Sequence, residues 1–180
     1  MKPWIGKKYS RQSTKLLVLG QSLYGGKAYE DRIIHETKWY LDDDNCKSRP
    51  FPRMVYDLFN YQDLENSDFW NSIAHYEYLL NPKKAPLHKP TKKELEQAKD
   101  PFFKVLNKLS PTVVAVLAVS TFDVLGLKSF YKTIEYGDAS MDVYKDNGIY
   151  FLRIPHPTGT RGFPKNNYKK LIRDFLGSLE

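Results

Sequence analysis

The sequence predicts an α/β protein: a three-layer sandwich with a central, mainly parallel four-stranded sheet and helices on both faces. Two kinds of segment predict it. Continuously apolar runs such as Leu16-Leu17-Val18-Leu19 and Val113-Val114-Ala115-Val116-Leu117 have the character of strands buried on both faces. Segments with apolar residues at helical spacing alternate with them, the order that wraps helices around a parallel sheet. The 180 residues, 41% hydrophobic and 14% aromatic, supply enough apolar surface for one domain, 1–180, around a single core.

Lys15 to Gly20 reads as the first strand, ended by glycine. A helix is expected from about Ala28 to Leu41, with Ile33, Ile34, Tyr40 and Leu41 on its apolar face and Asp42-Asp43-Asp44-Asn45 as a solvated turn that stops it. Between Pro50 and Ile73, Phe51, Met54, Val55, Leu58, Phe59, Phe69 and Trp70 recur at helical spacing, and the polar stretch Gln62 to Asp68 divides them into two short helices. Ile73 to Leu80 alternates as a second strand, and Asn81-Pro82-Lys83-Lys84-Ala85-Pro86 reads as a loop because proline breaks a ladder.

Thr91, with Glu94 three residues on, forms a capping box that starts a helix to about Leu109, with Pro101 expected to end or kink it. After Ser110-Pro111 comes the strand Val113 to Leu117. A short helix from Thr121 to Leu127, an irregular segment, a strand from Ile149 to Ile154 and an amphipathic helix from Lys165 to Leu176 complete the chain. No internal repeat or low-complexity segment interrupts this order.

Lys and Arg number 28 against 21 Asp and Glu, a net charge of +7 that favours a polyanionic partner such as nucleic acid. The single cysteine, Cys46, excludes an internal disulfide and cannot by itself hold an iron-sulfur cluster or a thiolate zinc site. A reducing cytoplasm, a monomer, and neither metal nor organic cofactor are expected. The basic N-terminus lacks a following apolar stretch, and no run approaches eighteen apolar residues, so neither secretion nor membrane spanning is expected.

In an open parallel sheet, ligands bind at the carboxyl ends of the strands, and two such loops carry unusual residues. The first is Gly20-Gln21-Ser22-Leu23-Tyr24-Gly25-Gly26-Lys27. It is not a phosphate-binding P-loop, because Gly20 and Gly26-Lys27 are one residue too far apart and Ala28 follows. It lacks the glycine that a nucleophile elbow needs at Tyr24, and it lacks the glycine spacing of a dinucleotide fingerprint. The second is Pro155-His156-Pro157-Thr158-Gly159-Thr160-Arg161-Gly162-Phe163, where His156 is held between two prolines and can donate into the strand-end cleft.

Together the loops resemble the uracil-DNA glycosylase superfamily. Gly20-Gln21-Ser22-Leu23-Tyr24 is similar to the first motif of that family, Gly-Gln-Asp-Pro-Tyr-His or a variant, and His156-Pro157-Thr158 to the second, His-Pro-Ser-Pro. Phe102-Phe103-Lys104-Val105-Leu106, Leu109-Ser110-Pro111 and the strand after them resemble the intervening helix and strand. The resemblance implies that one base is flipped out of DNA and its N-glycosidic bond hydrolysed. It further implies that His156 donates a hydrogen bond to the leaving base, that Tyr24 walls the base pocket, and that Arg161 wedges into the stack. Gly20 would line the base site, and Thr158 and Ser120, with Thr121, Lys165 and Lys169, would contact phosphates.

This chain departs from the family at three positions. Ser22 stands where the best-known branch has the aspartate that positions water, and Gln21 stands where another has a glutamate; neither is a base at neutral pH. Glu30 and Asp31 are the nearest carboxylates that could substitute, and they read better as a solvated first helical turn. Glu77 aligns with the asparagine that reads uracil. As an acceptor-only group it suits an exocyclic amine, as on cytosine or a modified cytosine. The stacking aromatic is left open among Tyr29, Phe51 and Phe59. A binding protein without catalysis on the same scaffold is the alternative, with a serine hydrolase using Ser22 and His156 more remote.

Overall fold

The computed structural model describes residues 1–79, 81–84 and 89–179. The last residue of the expected second strand, Leu80, and the last two of the expected loop, Ala85 and Pro86, lie outside them. The chain is a mixed α/β structure with one seven-stranded sheet. In chain order the strands are β1 (Trp4–Ile5), β2 (Leu16–Gly20), β3 (Ala74–Glu77), β4 (Val113–Val116), β5 (Phe130–Tyr136), β6 (Ala139–Asp146) and β7 (Ile149–Arg153). The helices are α1 (Arg32–Tyr40), α2 (Asp43–Ser48), α3 (Pro50–Phe59), α4 (Asn66–Ser72), α5 (Lys92–Leu109), α6 (Val119–Leu125) and α7 (Lys165–Gly177).

The sheet order is β1-β3-β2-β4-β7-β6-β5. Strands β3, β2, β4 and β7 are parallel and form its centre, and these are the four strands that the sequence predicts. The expected four-stranded sheet is corrected to seven by antiparallel additions: β1 beside β3, and β6 and β5 beyond β7. With only two residues, β1 is too short to show a period. The segment expected to be irregular holds the whole of β5 and β6; β5 is exposed along most of its length, so it buries no face that would set its period. A signal was nevertheless present: Asn147-Gly148 takes positive φ at both residues, 47° and 81°, and joins β6 to β7 in the manner of an Asn-Gly hairpin.

Alternation along β2 divides the core. Leu16 and Val18 pack with apolar side chains of α2, α3, α4 and α7, and Leu17 and Leu19 with those of α5 and α6. The acidic run is corrected from a turn to the start of α2, because the Asp42 side chain accepts from the Asn45 amide as an N-cap. Pro101 does not end α5. The buried stripe Leu95, Ala98, Phe102, Leu106 and Leu109 carries the helix through it, and Ser110 closes it in the left-handed region at φ 45°. Arg32 marks the start of α1, four residues later than expected.

The parallel register aligns Gly20 with Glu77, Leu19 with Val116, and Val116 with Arg153. All four central strands therefore end on one side of the molecule. Among the described residues no helix is long and apolar enough to cross a membrane, and no group of three or more His, Cys, Asp or Glu could hold a metal ion.

Candidate active site

The four strand ends open into a cleft of about 1540 Å³. It draws Gln21 to Tyr24 from the β2 loop, Glu77 from β3, Ala118 to Ser120 from the β4 loop and the segment around His156 from the β7 loop, with α1, the start of α3 and Lys89-Pro90 as the remaining walls. Of the residues expected to form a site, Gln21, Ser22, Tyr24, Glu77, Ser120, His156 and Thr158 all line this one cleft.

Glu77 lies at its base. The residue is only 3% exposed, against the ordinary expectation for a glutamate at a strand end. Its Oε1 meets Nε2 of buried His75 at 3.2 Å, and its Oε2 has no hydrogen-bond partner. Burying a carboxylate oxygen without a donor is costly, so Oε2 is the atom of Glu77 to which a ligand's N–H would supply the missing hydrogen bond. Gly20 has a direct steric reason: a Cβ there would sit 2.5 Å from both carboxylate oxygens of Glu77. The sequence reading missed His75, although its position two residues before Glu77 on a strand puts both side chains on one face.

His156 is half-buried at the far side of the cleft. Its Nδ1 accepts from the Gly159 amide at 3.0 Å and lies 3.3 Å from the Thr158 hydroxyl. An accepting Nδ1 puts the ring proton of neutral histidine on Nε2. Burial lowers the His156 pKa below 6.5, with the charge of Glu77 pulling the other way, so the ring is held in its neutral form at pH 7. Burial, and then Glu77, raises the pKa of the Tyr24 hydroxyl, which therefore remains a donor.

Gln21 donates from Nε2 to the Ser120 hydroxyl at 2.7 Å and to Thr121 at 3.2 Å, tying the β2 loop to the first turn of α6. Ser22 donates to the Leu23 carbonyl at 2.7 Å and accepts from the Lys83 amide at 3.3 Å. Neither contact involves His156, and a hydroxyl spent on main-chain groups has little character as a nucleophile. The loop beyond is clamped by Arg32. Its guanidinium donates to the carbonyls of Tyr24, Gly25 and Lys27 at 3.0, 2.7 and 3.2 Å and to Glu36 at 2.8 Å.

Other expected residues fall elsewhere. Arg161 stands on an exposed turn and Lys165 pairs with Asp57; neither they nor Lys169 line the cleft. Glu30 and Asp31 pair with Lys2 at 3.2 and 3.3 Å on the surface, which agrees with a solvated turn. Among the three stacking candidates Phe51 alone lines the cleft; Phe59 is buried in the core and Tyr29 is exposed beside His35. Trp39, with the Arg49 guanidinium 5.4 Å from its ring centroid, is a further wall residue that the sequence reading did not find. No protein-family model matches the chain, and no curated protein does.

Proposed function

We propose that the chain is a monofunctional DNA glycosylase built on a three-layer α/β sandwich, hydrolysing the N-glycosidic bond of a flipped-out, amine-bearing base. One observation carries the reading: a neutral histidine with its proton on Nε2 and a buried carboxylate with one unpartnered oxygen line the same cleft at the strand ends. Breaking the glycosidic bond leaves cationic sugar and an anionic base, so a donor at the base oxygen stabilises the transition state more than the ground state. His156 supplies that donor. Glu77 accepts from an exocyclic amine of the kind carried by cytosine, and opposes a carbonyl placed there.

The Gln21 amide nitrogen is occupied, which leaves its carbonyl oxygen to orient the attacking water. Water attack on a sugar already cationic needs orientation more than a strong base, so the lack of an acid at Ser22 does not close the route. Phe51 is the stacking platform for the base. The net charge of +7 supports DNA as the partner, with Ser120 and Thr158 at the cleft rim as phosphate contacts.

Oligonucleotides carrying uracil, hypoxanthine, cytosine or modified cytosines, treated with the protein and then with alkali, test the activity directly. Strand breaks at an amine-bearing base are expected, and their absence on every substrate removes the glycosylase reading. Glu77→Asn should move preference toward uracil by about 1–3 kcal/mol of discrimination. The committed hydroxyl of Ser22 favours one second reading, a base-binding protein without turnover. Salt-sensitive DNA binding with no abasic product would select it.

A further inference from the structure

Glu77 ends a chain of buried polar contacts that begins on α1. Thr37, His75 and Glu77 are 0%, 1% and 3% exposed. The Thr37 Oγ1 lies 3.0 Å from Nδ1 of His75, and the His75 Nε2 lies 3.2 Å from Oε1 of Glu77. A carboxylate only accepts, so the ring donates from Nε2, and Nδ1 faces the Thr37 hydroxyl, which can donate or accept. The ring is packed by Phe51 and Trp70, with centroids 5.7 and 6.1 Å away. On its other side the carboxylate abuts Gly20, where not even a Cβ fits. Every partner of Glu77 thus acts on its orientation, and Oε2 alone is left without one.

We propose that Thr37 and His75 are positioning residues that set base specificity: by holding Oε1 of Glu77 they present Oε2 as the single acceptor, which selects a base edge bearing an exocyclic amine. The inference rests on the glycosylase reading of the cleft. A carboxylate free to turn about its terminal torsion could move both oxygens away from a carbonyl and admit water between, which would erode the penalty against uracil. Held at Oε1, it cannot turn away. Discrimination therefore depends on groups that never touch the base.

The test is equilibrium binding of the full chain to an oligothymidylate carrying one 2′-fluoro cytosine or one 2′-fluoro uracil nucleotide, where the fluorine blocks cleavage. The wild type is expected to prefer cytosine by about 10-fold, within the range of one good base-edge contact. His75→Ala should bring the ratio close to one while binding to plain oligothymidylate is unchanged. His75→Gln, whose amide can donate to Glu77, should restore most of the preference, and Thr37→Val should lower it by a few-fold. Loss of folding would weaken binding to all three oligonucleotides together, whereas loss of positioning moves only the ratio. Should His75→Ala fail to fold, Thr37→Val, which keeps the ring, decides. A wild-type preference for cytosine that survives both changes overturns the positioning role and leaves the Glu77 reading standing. No preference in the wild type, with Glu77→Gln unchanged from it, overturns both.

Discussion

The two loops that carry the candidate chemistry are built in opposite ways. The β2 loop is held from outside: Arg32 grips three of its carbonyls, Gln21 reaches across to α6, and the Lys83 main chain bonds with Leu23 and Gly25. The β7 loop holds itself. The amides of Gly159 and Thr160 return to the His156 carbonyl, and the Gly159 amide also bonds the imidazole. One loop owes its shape to groups outside it, Arg32 a few residues on and Ser120 and Lys83 far along the chain, and the other to its own few residues. The first should fail when a partner outside it is removed; the second should fail only where it is touched.

The largest effect expected is on chemistry at the self-held loop. Under the proposed glycosylase function, His156→Ala should lower the rate of base release by about 10²–10³-fold, the usual cost of removing one transition-state donor, with little change in thermal stability. Single-turnover assays beside thermal melts check both halves. A large drop in stability would show that the imidazole builds the loop as well as serving the reaction.

Gly20→Ala comes next. A methyl 2.5 Å from the Glu77 carboxylate must displace it, at a cost of about 1–3 kcal/mol measured by urea unfolding, together with loss of base discrimination. Arg32→Ala should cost about 2 kcal/mol, since hydrogen bonds to a charged group are worth more than neutral ones. Its sharper signature is local: amide exchange should quicken at Gly25 and stay unchanged at Gly159. Equal quickening at both would end the contrast between the loops.

Acid should separate the loops more gently. Burial holds the His156 pKa below 6.5, so in acid the unfolded chain takes up a proton that the folded chain resists. The neutral donor and its share of stability are complete above pH 6.5 and are lost as pH falls through the lower folded value. At the β2 loop, the Lys83 ammonium, then the backbone and hydroxyl of Thr91, hold the Glu94 pKa down from 4.5 to about 2. That contribution is complete above pH 4.5 and disappears as pH falls toward about 2. Activity should therefore decline first, and exchange at Gly25 should quicken only in stronger acid. Chemical shifts of His156 and exchange at Gly25, followed over one titration, would reveal the reverse order.

The same division explains what was legible in the chain. The four central strands and the capping box at Thr91 were readable because each is a local pattern of apolar alternation or spacing. The placement of the loops after Gly20 and around His156 at one end of the sheet was readable because each follows a buried strand. The β5 strand was not, because an exposed strand buries no face and so imposes no period. The role of Arg32 was not legible because an arginine four to eight residues from its partners carries no pattern that marks a clamp. That of His75 was not because its burial behind Glu77 and its contact with Thr37 arise only when α1 packs on β3.

By itself the sequence determined the α/β class, the positive charge and the two loops, since propensity, periodicity and residue type act over a few neighbouring positions. Only the tertiary structure decided that Glu77 is buried with one free oxygen, that His75 and Thr37 stand behind it, and that Ser22 is committed to the main chain. Those outcomes depend on which strands pair and in what register. Burial and orphaned polar atoms are properties of that assembly, with no counterpart in the chain read residue by residue.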